Sequence, residues 1–304
     1  MQRIRDRFGA SGVLEVDTPA LSHYAISDTQ IESLEIQESQ ISQRPLFLQT
    51  SPEFCMKRLL SAGFPDIFTI CRVFRDGESG RRHQPEFTMI EWYRLGMGLQ
   101  EIIDDTLDVI YSALNVDPPG EKPEQNDYRH VFLEVAGVDP LTATIDELAA
   151  AAGADNDLKE SVGNERDDWL DLLLATRVAP TFEKDRLTVL RHFPATQAAL
   201  ARLCPDDPRV ADRFEIFVGP LELANGYVEL TDAGEQLRRI GADNEDRRRR
   251  NRPVRPHDIA LLGALEAGLP ASAGVAMGFE RLQMIHDGTD DIRDVVSFSF
   301  EADE

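Results

Sequence analysis

The sequence predicts an α+β domain in which an antiparallel β-sheet is flanked by helices and interrupted by a helical insertion. Three observations carry this expectation. β-Rich segments at 67–74 and 87–93 enclose a polar loop, the pattern of two antiparallel strands. A second pair, Arg213–Val218 and 221–230, is punctuated by Gly219-Pro220. Helical periodicity recurs between and around these strands.

Taken in order, residues 2–9 read as the end of an amphipathic helix, and 12–19 as an extended segment stopped by Pro19. Residues 30–49 alternate weakly up to Leu46-Phe-Leu-Gln-Thr50. Ser51-Pro-Glu53 then supplies a capping serine and a helix-starting proline for a helix to about Ala62. The stretch from Asp76 to His83 is loop-like, 100–114 is helical, and 115–130 carries the turn signals of a surface excursion. Residues 131–204 alternate helical patterns with short breaks, so about 115–205 reads as a helical insertion into a single domain spanning 1–304. An arginine-rich helix near 233–250, a strand-to-helix unit at 273–286 and an acidic tail complete the chain.

A chain of 304 residues with 42% hydrophobic content can bury a sizeable core. No apolar run approaches the roughly 20 residues that span a bilayer, and the first residues lack a signal-peptide pattern. A cytoplasmic protein is expected. The three cysteines, Cys55, Cys71 and Cys204, have neither the count of a disulfide framework nor the spacing of a zinc site, and read as buried thiols. The formal charge of -23 repels polyanions and weighs against a nucleic-acid partner.

Three constellations stand out. Arg72, Arg75, Arg81 and Arg82 lie on or beside the first polar loop, with Phe87 and Tyr93 on the following strand. Guanidinium groups pair with phosphate oxygens and an aromatic face can stack a purine, so this grouping suits a nucleotide. Glu215, Glu222, Asn225 and Glu229 fall on β-rich segments. Carboxylates sharing a site repel by roughly 4 kcal/mol at 4 Å and an effective dielectric near 20, which favours a divalent cation or an ammonium group between them. The run from Gly274 to Arg281 places glycines and an arginine at a strand-to-helix junction, where a backbone can approach a ligand closely.

These segments occur in the order of known signatures. Thr50-Ser-Pro-Glu53 with Met56-Lys-Arg-Leu59, Cys71-Arg-Val-Phe-Arg75, His83-Gln-Pro-Glu-Phe-Thr-Met89 with Glu91 and Tyr93, Glu222-Leu-Ala-Asn-Gly-Tyr-Val-Glu229, and 274–281 resemble the class II lysyl-tRNA synthetase family. The resemblance covers about residues 3–300, least closely in 115–205, and implies the class II synthetase catalytic fold. Residues 8–19 are similar to the first class motif, which in the family forms a homodimer interface.

The resemblance also implies roles. Arg75 and Arg281 would be catalytic, Arg75 holding the α-phosphate and the amino-acid carboxylate. Phe87 and Arg281 would sandwich adenine, His83 would lie near the phosphates, and Glu78, Gln84, Leu223 and Gly278 would complete the ATP site. Glu215 and Glu222 would hold Mg²⁺. Ser51, Pro52, Glu53, Tyr93, Asn225, Glu229 and Ala276 would bind the amino acid, Glu53 taking one amino group and Glu229 with Tyr93 the far ammonium. The family's Arg-x-Glu is altered, since Gly77 stands two residues after Arg75 and Glu78 one later. Gln84 and Glu280 replace an asparagine and an aspartate.

The first motif begins almost at Met1, which leaves no room for the anticodon-binding barrel of lysyl-tRNA synthetases. The chain most resembles the catalytic-domain-only family of elongation factor P lysine ligases. That resemblance implies activation of (R)-β-lysine as an adenylate and its transfer to a lysine of elongation factor P, with tRNA an unlikely acceptor. Ala276, where lysyl synthetases tend to carry glycine, adds a methyl near the substrate's α-carbon, a change of roughly 1–3 kcal/mol in preference. Two alternatives stay open: a tRNA-charging enzyme and an amino-acid sensor without chemistry. The arginines from 247 to 250, with Arg252 and Arg255, suggest a docking strip for an acidic acceptor protein.

Overall fold

The computed structural model describes residues 1–300; the acidic tail lies outside the described residues. The strands in chain order are β1 (Leu14–Glu15), β2 (Leu21–Ser22), β3 (Glu35–Ile36), β4 (Leu46–Leu48), β5 (Ile67–Phe74), β6 (Glu86–Leu95), β7 (Glu124–Asp127), β8 (Leu187–Arg191), β9 (Arg213–Val218), β10 (Leu221–Val228) and β11 (Ser272–Gly278). The α-helices are α1 (Gln2–Ala10), α2 (Glu53–Ser61), α3 (Leu99–Leu114), α4 (Tyr128–Val131), α5 (Ile145–Ala152), α6 (Asn156–Val162), α7 (Arg166–Leu173), α8 (Ala233–Arg249), α9 (Ile259–Gly268) and α10 (Phe279–Asp287).

Eight strands form one sheet in the order β1-β5-β6-β11-β10-β9-β8-β7, and β2-β4-β3 form a small separate sheet. The centre is antiparallel as expected. The edges are not: β1 runs parallel to β5 and β7 parallel to β8, so the sheet is mixed. Alternation sorts the central strands into two faces. Ile90, Trp92, Phe214, Ile216, Val275 and Met277 face a core closed by α1 and α3, where Phe8 stacks on Phe68 at 4.5 Å between ring centroids. Phe87, Glu91, Tyr93, Glu215 and Asn225 alternate onto the other face, where the candidate site lies.

The expected insertion needs correction. Its helical body packs Tyr128, Phe132, Trp169, Leu170 and Leu173 into a second core against Leu190 and Phe217 of the sheet. Its two flanks, however, are the strands β7 and β8, so the segment extends the main sheet rather than standing apart as helices alone. Turn residues such as Pro118-Pro119-Gly120 mask the four-residue strand that follows them. Helix α9 also escaped the sequence reading. It is apolar with little amphipathic pattern, and it packs Leu261 and Leu265 against Met56 and Leu60 of α2.

This packing fixes where α2 lies. Its buried residues are Glu53, Met56, Lys57 and Leu60, an i, i+3, i+4, i+7 stripe in which two members are charged. Ser51 accepts the backbone N–H of Glu53 at 3.0 Å, and Pro52 occupies the N-cap, so the first turn is anchored where Glu53 enters the interior.

Candidate active site

Register brings the site residues of four strands into rows on one face. Glu91 lies opposite Ala276, Ala276 opposite Asn225, and Asn225 opposite Glu215. One row over, Tyr93, Gly274, Tyr227 and Arg213 are aligned in the same way. Cross-strand partners stand about 5 Å apart at Cβ, so residues scattered over nearly two hundred positions become neighbours. They line an open cleft of about 820 Å³, walled by α2, α8 and the start of α7.

One end of the cleft is anionic and dry. Lys57 Nζ sits 2.6 Å from Glu53 Oε1 and 2.5 Å from Glu229 Oε2. Ser51 donates to Glu91 Oε2 at 2.7 Å, Tyr93 to Glu91 Oε1 at 2.8 Å, and Tyr227 to Glu53 Oε1 at 2.7 Å. Glu91 and Glu229 are each 2% exposed; Glu229 Oε2 meets the Lys57 ammonium, and its Oε1 has no hydrogen-bond partner. Burial, and then the charge of Glu53, push Glu91 up to about 8. Burial also raises Glu229, opposed by Lys57. Burial alone would lower Lys57, but Glu229 and Glu53 more than offset it and hold the amine as an ammonium. Carboxylates kept this dry and underbonded are receptors for cationic donors.

Gly274 forms the floor between them. A Cβ there would stand 2.5 Å from the Tyr93 ring and still closer to Glu229 Oε1. Only glycine lets both side chains cross this strand.

A cationic cluster adjoins Arg75, which lines the cleft. Arg281, in the first turn of α10, donates to the Glu222 carbonyl at 2.9 Å and lies 3.3 Å from the Glu222 carboxylate. A second Nη is 2.7 Å from His83 Nε2; since guanidinium only donates, His83 accepts with that nitrogen. Burial, then the Arg281 charge, lower the His83 pKa and favour this neutral ring. Glu78, Glu222 and Arg75 are also near enough to perturb it. Arg75 lies 3.6 Å from Glu78 and covers the Phe87 ring at 5.2 Å, and its Nε is buried without a partner. Glu78 thus reaches the arginine despite its shifted position, with Gly77 turning at φ +78° before it.

Arg213 donates to Glu215 at 2.6 Å; burial and then the nearby Glu222 charge push it up to about 8. Asn225 accepts from Arg213 at 3.3 Å. Glu215 and Glu222 are therefore close enough to repel, with an acidic donor set that fits a hard divalent cation.

Other expected positions lie apart. Leu223 is 2% exposed within the hydrophobic core, so its side chain is not in the cleft and only its backbone remains for a ligand. Gln84 accepts the backbone N–H of Phe300 at 2.7 Å, which ties it to the C-terminal segment. Gly278 caps α10, where an added Cβ would make ordinary contact with Arg281 at 3.7 Å. Glu280 accepts from the Thr88 N–H at 2.9 Å and fastens α10 to β6. Arg81 pairs with Asp290 and Arg82 donates to the Pro220 carbonyl, so both brace the loop. The cysteines are free but half-buried rather than fully buried. Cys204 does approach His192 and Asp212 within 4.8 Å, but His192 is held by Asp127 and Asp212 by Arg202.

Much of the expected docking strip is turned inward. Arg247 is fully buried and donates to the carbonyls of Ser27 and Asp28, each at 2.8 Å, and to Glu32. Arg248 pairs with Glu245, Arg249 with Asp246, and Arg250 with Asp168 and Asp246. Arg255 is bound to Glu32 and Glu35. Arg247, Arg250 and Arg255 thus form an internal clamp, Arg252 donates to the Thr29 carbonyl, and Arg248 and Arg249 stay largely exposed beside their local carboxylates.

Lys57, Glu91 and Tyr227 fall in the quoted motifs but are given no role there, and Arg213 is not singled out. A signal existed for the first, the lysine set within the buried stripe of α2.

The family model of the class II tRNA synthetases (D, K and N) matches residues 1–302. The chain belongs to this family. Within this synthetase family it is similar to proteins named elongation factor P–(R)-β-lysine ligase. That of Avibacterium paragallinarum is 42% identical over 301 residues, covering 98% of this chain and 92% of the relative. Those of Pasteurella multocida and Haemophilus influenzae are each 43% identical with the same coverage. The resemblance read from the motifs therefore holds across the chain, including the insertion. Among the described residues, no helix is long and apolar enough to cross a membrane.

Proposed function

We propose that this synthetase-family protein is an ATP-dependent ligase that activates (R)-β-lysine as an adenylate and transfers it to a lysine side chain of elongation factor P. The observation that carries the reading is the polarity of one sheet face. Buried carboxylates, Glu229 among them with an unpartnered oxygen, line the cleft together with Arg75, which covers Phe87 and has a buried, unpartnered Nε, and Arg281 stands beside Glu222. A diamino acid and a nucleotide have that complementary order of charges, and the near relatives carry the ligase name.

In this mechanism Glu53 takes one substrate amino group and Glu229 with Tyr93 the far ammonium, while Ser51, Asn225 and Ala276 shape the pocket. With the two amino groups so held, the substrate carboxylate would lie beside Arg75. A carboxylate oxygen attacks the α-phosphorus of ATP, and Arg75 and Arg281 offset the charge that develops as pyrophosphate departs. Phe87 and Arg281 hold the adenine, with His83 and Glu78 orienting the arginines. Glu215 and Glu222 would hold Mg²⁺, which when bound polarises the phosphate oxygens. The neutral amine of the acceptor lysine then attacks the acyl carbon; its proton passes to solvent, an amide forms and AMP leaves. No side chain of the ligase becomes acylated. A homodimer belongs to the same reading: Phe8 is spent on the internal core, but Leu14 of the first motif is left 45% exposed.

Pyrophosphate release measured with ATP and either lysine or β-lysine tests the activation step. Release that depends on a diamino acid is expected, with β-lysine the better substrate. Release with neither would remove the reading.

A further inference from the structure

Lys57 is a buried cation beside the cleft to which the proposed mechanism gives no role. It is 1% exposed and sits in no position to meet solvent or an acceptor. Its ammonium bridges Glu53 and Glu229, which come from α2 and the end of β10 and are the two carboxylates assigned to the substrate's two amino groups. Glu91, Tyr93 and Tyr227 surround the bridge, and Lys57 lies 5.7 Å from the Tyr227 ring. No other cation of the described residues lies within ion-pair distance of Glu53, Glu91 or Glu229.

We propose that Lys57 is a positioning residue that acts as an internal third ammonium, fixing the spacing of Glu53 and Glu229 and leaving the pocket room for two substrate cations rather than three. The count follows from the charges. In the occupied pocket, with Glu91 ionised beside Glu53 and Glu229, three carboxylates and one internal ammonium leave two negative charges, which two amino groups of a substrate neutralise. Glu53 and Glu229 each commit one oxygen to Lys57, so the other oxygen of each is aimed by that contact, while Ser51 and Tyr93 orient Glu91. An unpaired third carboxylate in so dry a pocket would take up a proton instead and lose its directional acceptor. The two flanking carboxylates also keep Lys57 protonated, which denies it the lone pair needed to intercept the activated acyl group meant for an acceptor lysine.

This inference rests on the diamine reading of the pocket, and the test separates the two. The size-matched variant Lys57→Met is compared with the unaltered protein by melting with 1,5-diaminopentane and by KM for β-lysine and ATP in pyrophosphate release. The inference predicts that Lys57→Met loses the diamine-induced melting shift and raises the KM for β-lysine on the order of tenfold or more, one pKa unit of lost interaction, while the KM for ATP holds. An unchanged KM and melting shift overturn it. Absence of turnover in the unaltered protein counts against the ligase reading alone, because the diamine melting shift still reports on Lys57. If Lys57→Met does not fold, Lys57→Ala prepared with ethylammonium or with propanol decides: restoration of diamine binding by the cation only supports the charge role, whereas equal effects of both, or of neither, overturn it.

Discussion

Gly274, Glu91 and Glu229 show what individual residues contribute, because each matters through an atom it lacks or a proton it holds. Gly274→Ala would drive a methyl into Tyr93 and Glu229. It should raise the KM for the amino acid roughly a hundredfold, the scale of a 1 Å misplacement, and leave ATP-induced protection against heat intact; loss of both together would mean a general folding defect. Glu91 is held near 8 by burial and by Glu53, so it carries a proton in the empty cleft at pH 7. A bound ammonium needs the carboxylate. Substrate binding should therefore release protons at pH 7, and affinity should rise from pH 6 to 8; calorimetry in two buffers of different ionisation heat reads the proton directly. Arg75, Glu229 and Arg281 can be named as candidate site residues from their motifs, whereas Lys57 is given no role because a lysine on a helix is ordinarily solvated.

At the scale of elements, strand alternation placed the site and helix packing completed it. Strands β5, β6, β9, β10 and β11 could be read because their period of two runs for six residues or more. Strands β7 and β8 could not, since their pairing depends on partners far along the chain, and α9 carries no amphipathic stripe to announce it. The arginines of α8 taught a different lesson, that charge in sequence does not say whether its partner is another molecule. Arg247→Met would strand Glu32 and the carbonyls that Arg247 binds. A loss of about 3–5 kcal/mol is expected from removing one partner of a buried ion pair, seen as a large drop in melting temperature. Arg248→Glu, on the exposed side, should stay within about 0.5 kcal/mol and leave acyl transfer unchanged.

For the whole molecule, charge sets the conditions of stability. Glu91 and Glu215 each rise from 4.5 to about 8 on folding, so the native state binds protons more tightly than the unfolded chain. Their contribution is complete below pH 4.5 and is lost as pH rises through 8; His83, with its lowered pKa, works the other way. The ligand-free protein should melt at progressively lower temperature between pH 5 and 8, and a diamino acid should recover the loss. Self-repulsion from a net charge of -23 adds to this, so salt should raise the melting temperature as well. The same excess of negative charge turns away polyanions and leaves a protein amine as the fitting acceptor. The mass spectrum of elongation factor P after incubation with this protein, ATP and (R)-β-lysine tests that conclusion most directly. A single β-lysyl group on one lysine of elongation factor P, with one AMP formed for each, is the predicted result. Unmodified elongation factor P beside a tRNA that has gained the label would contradict it.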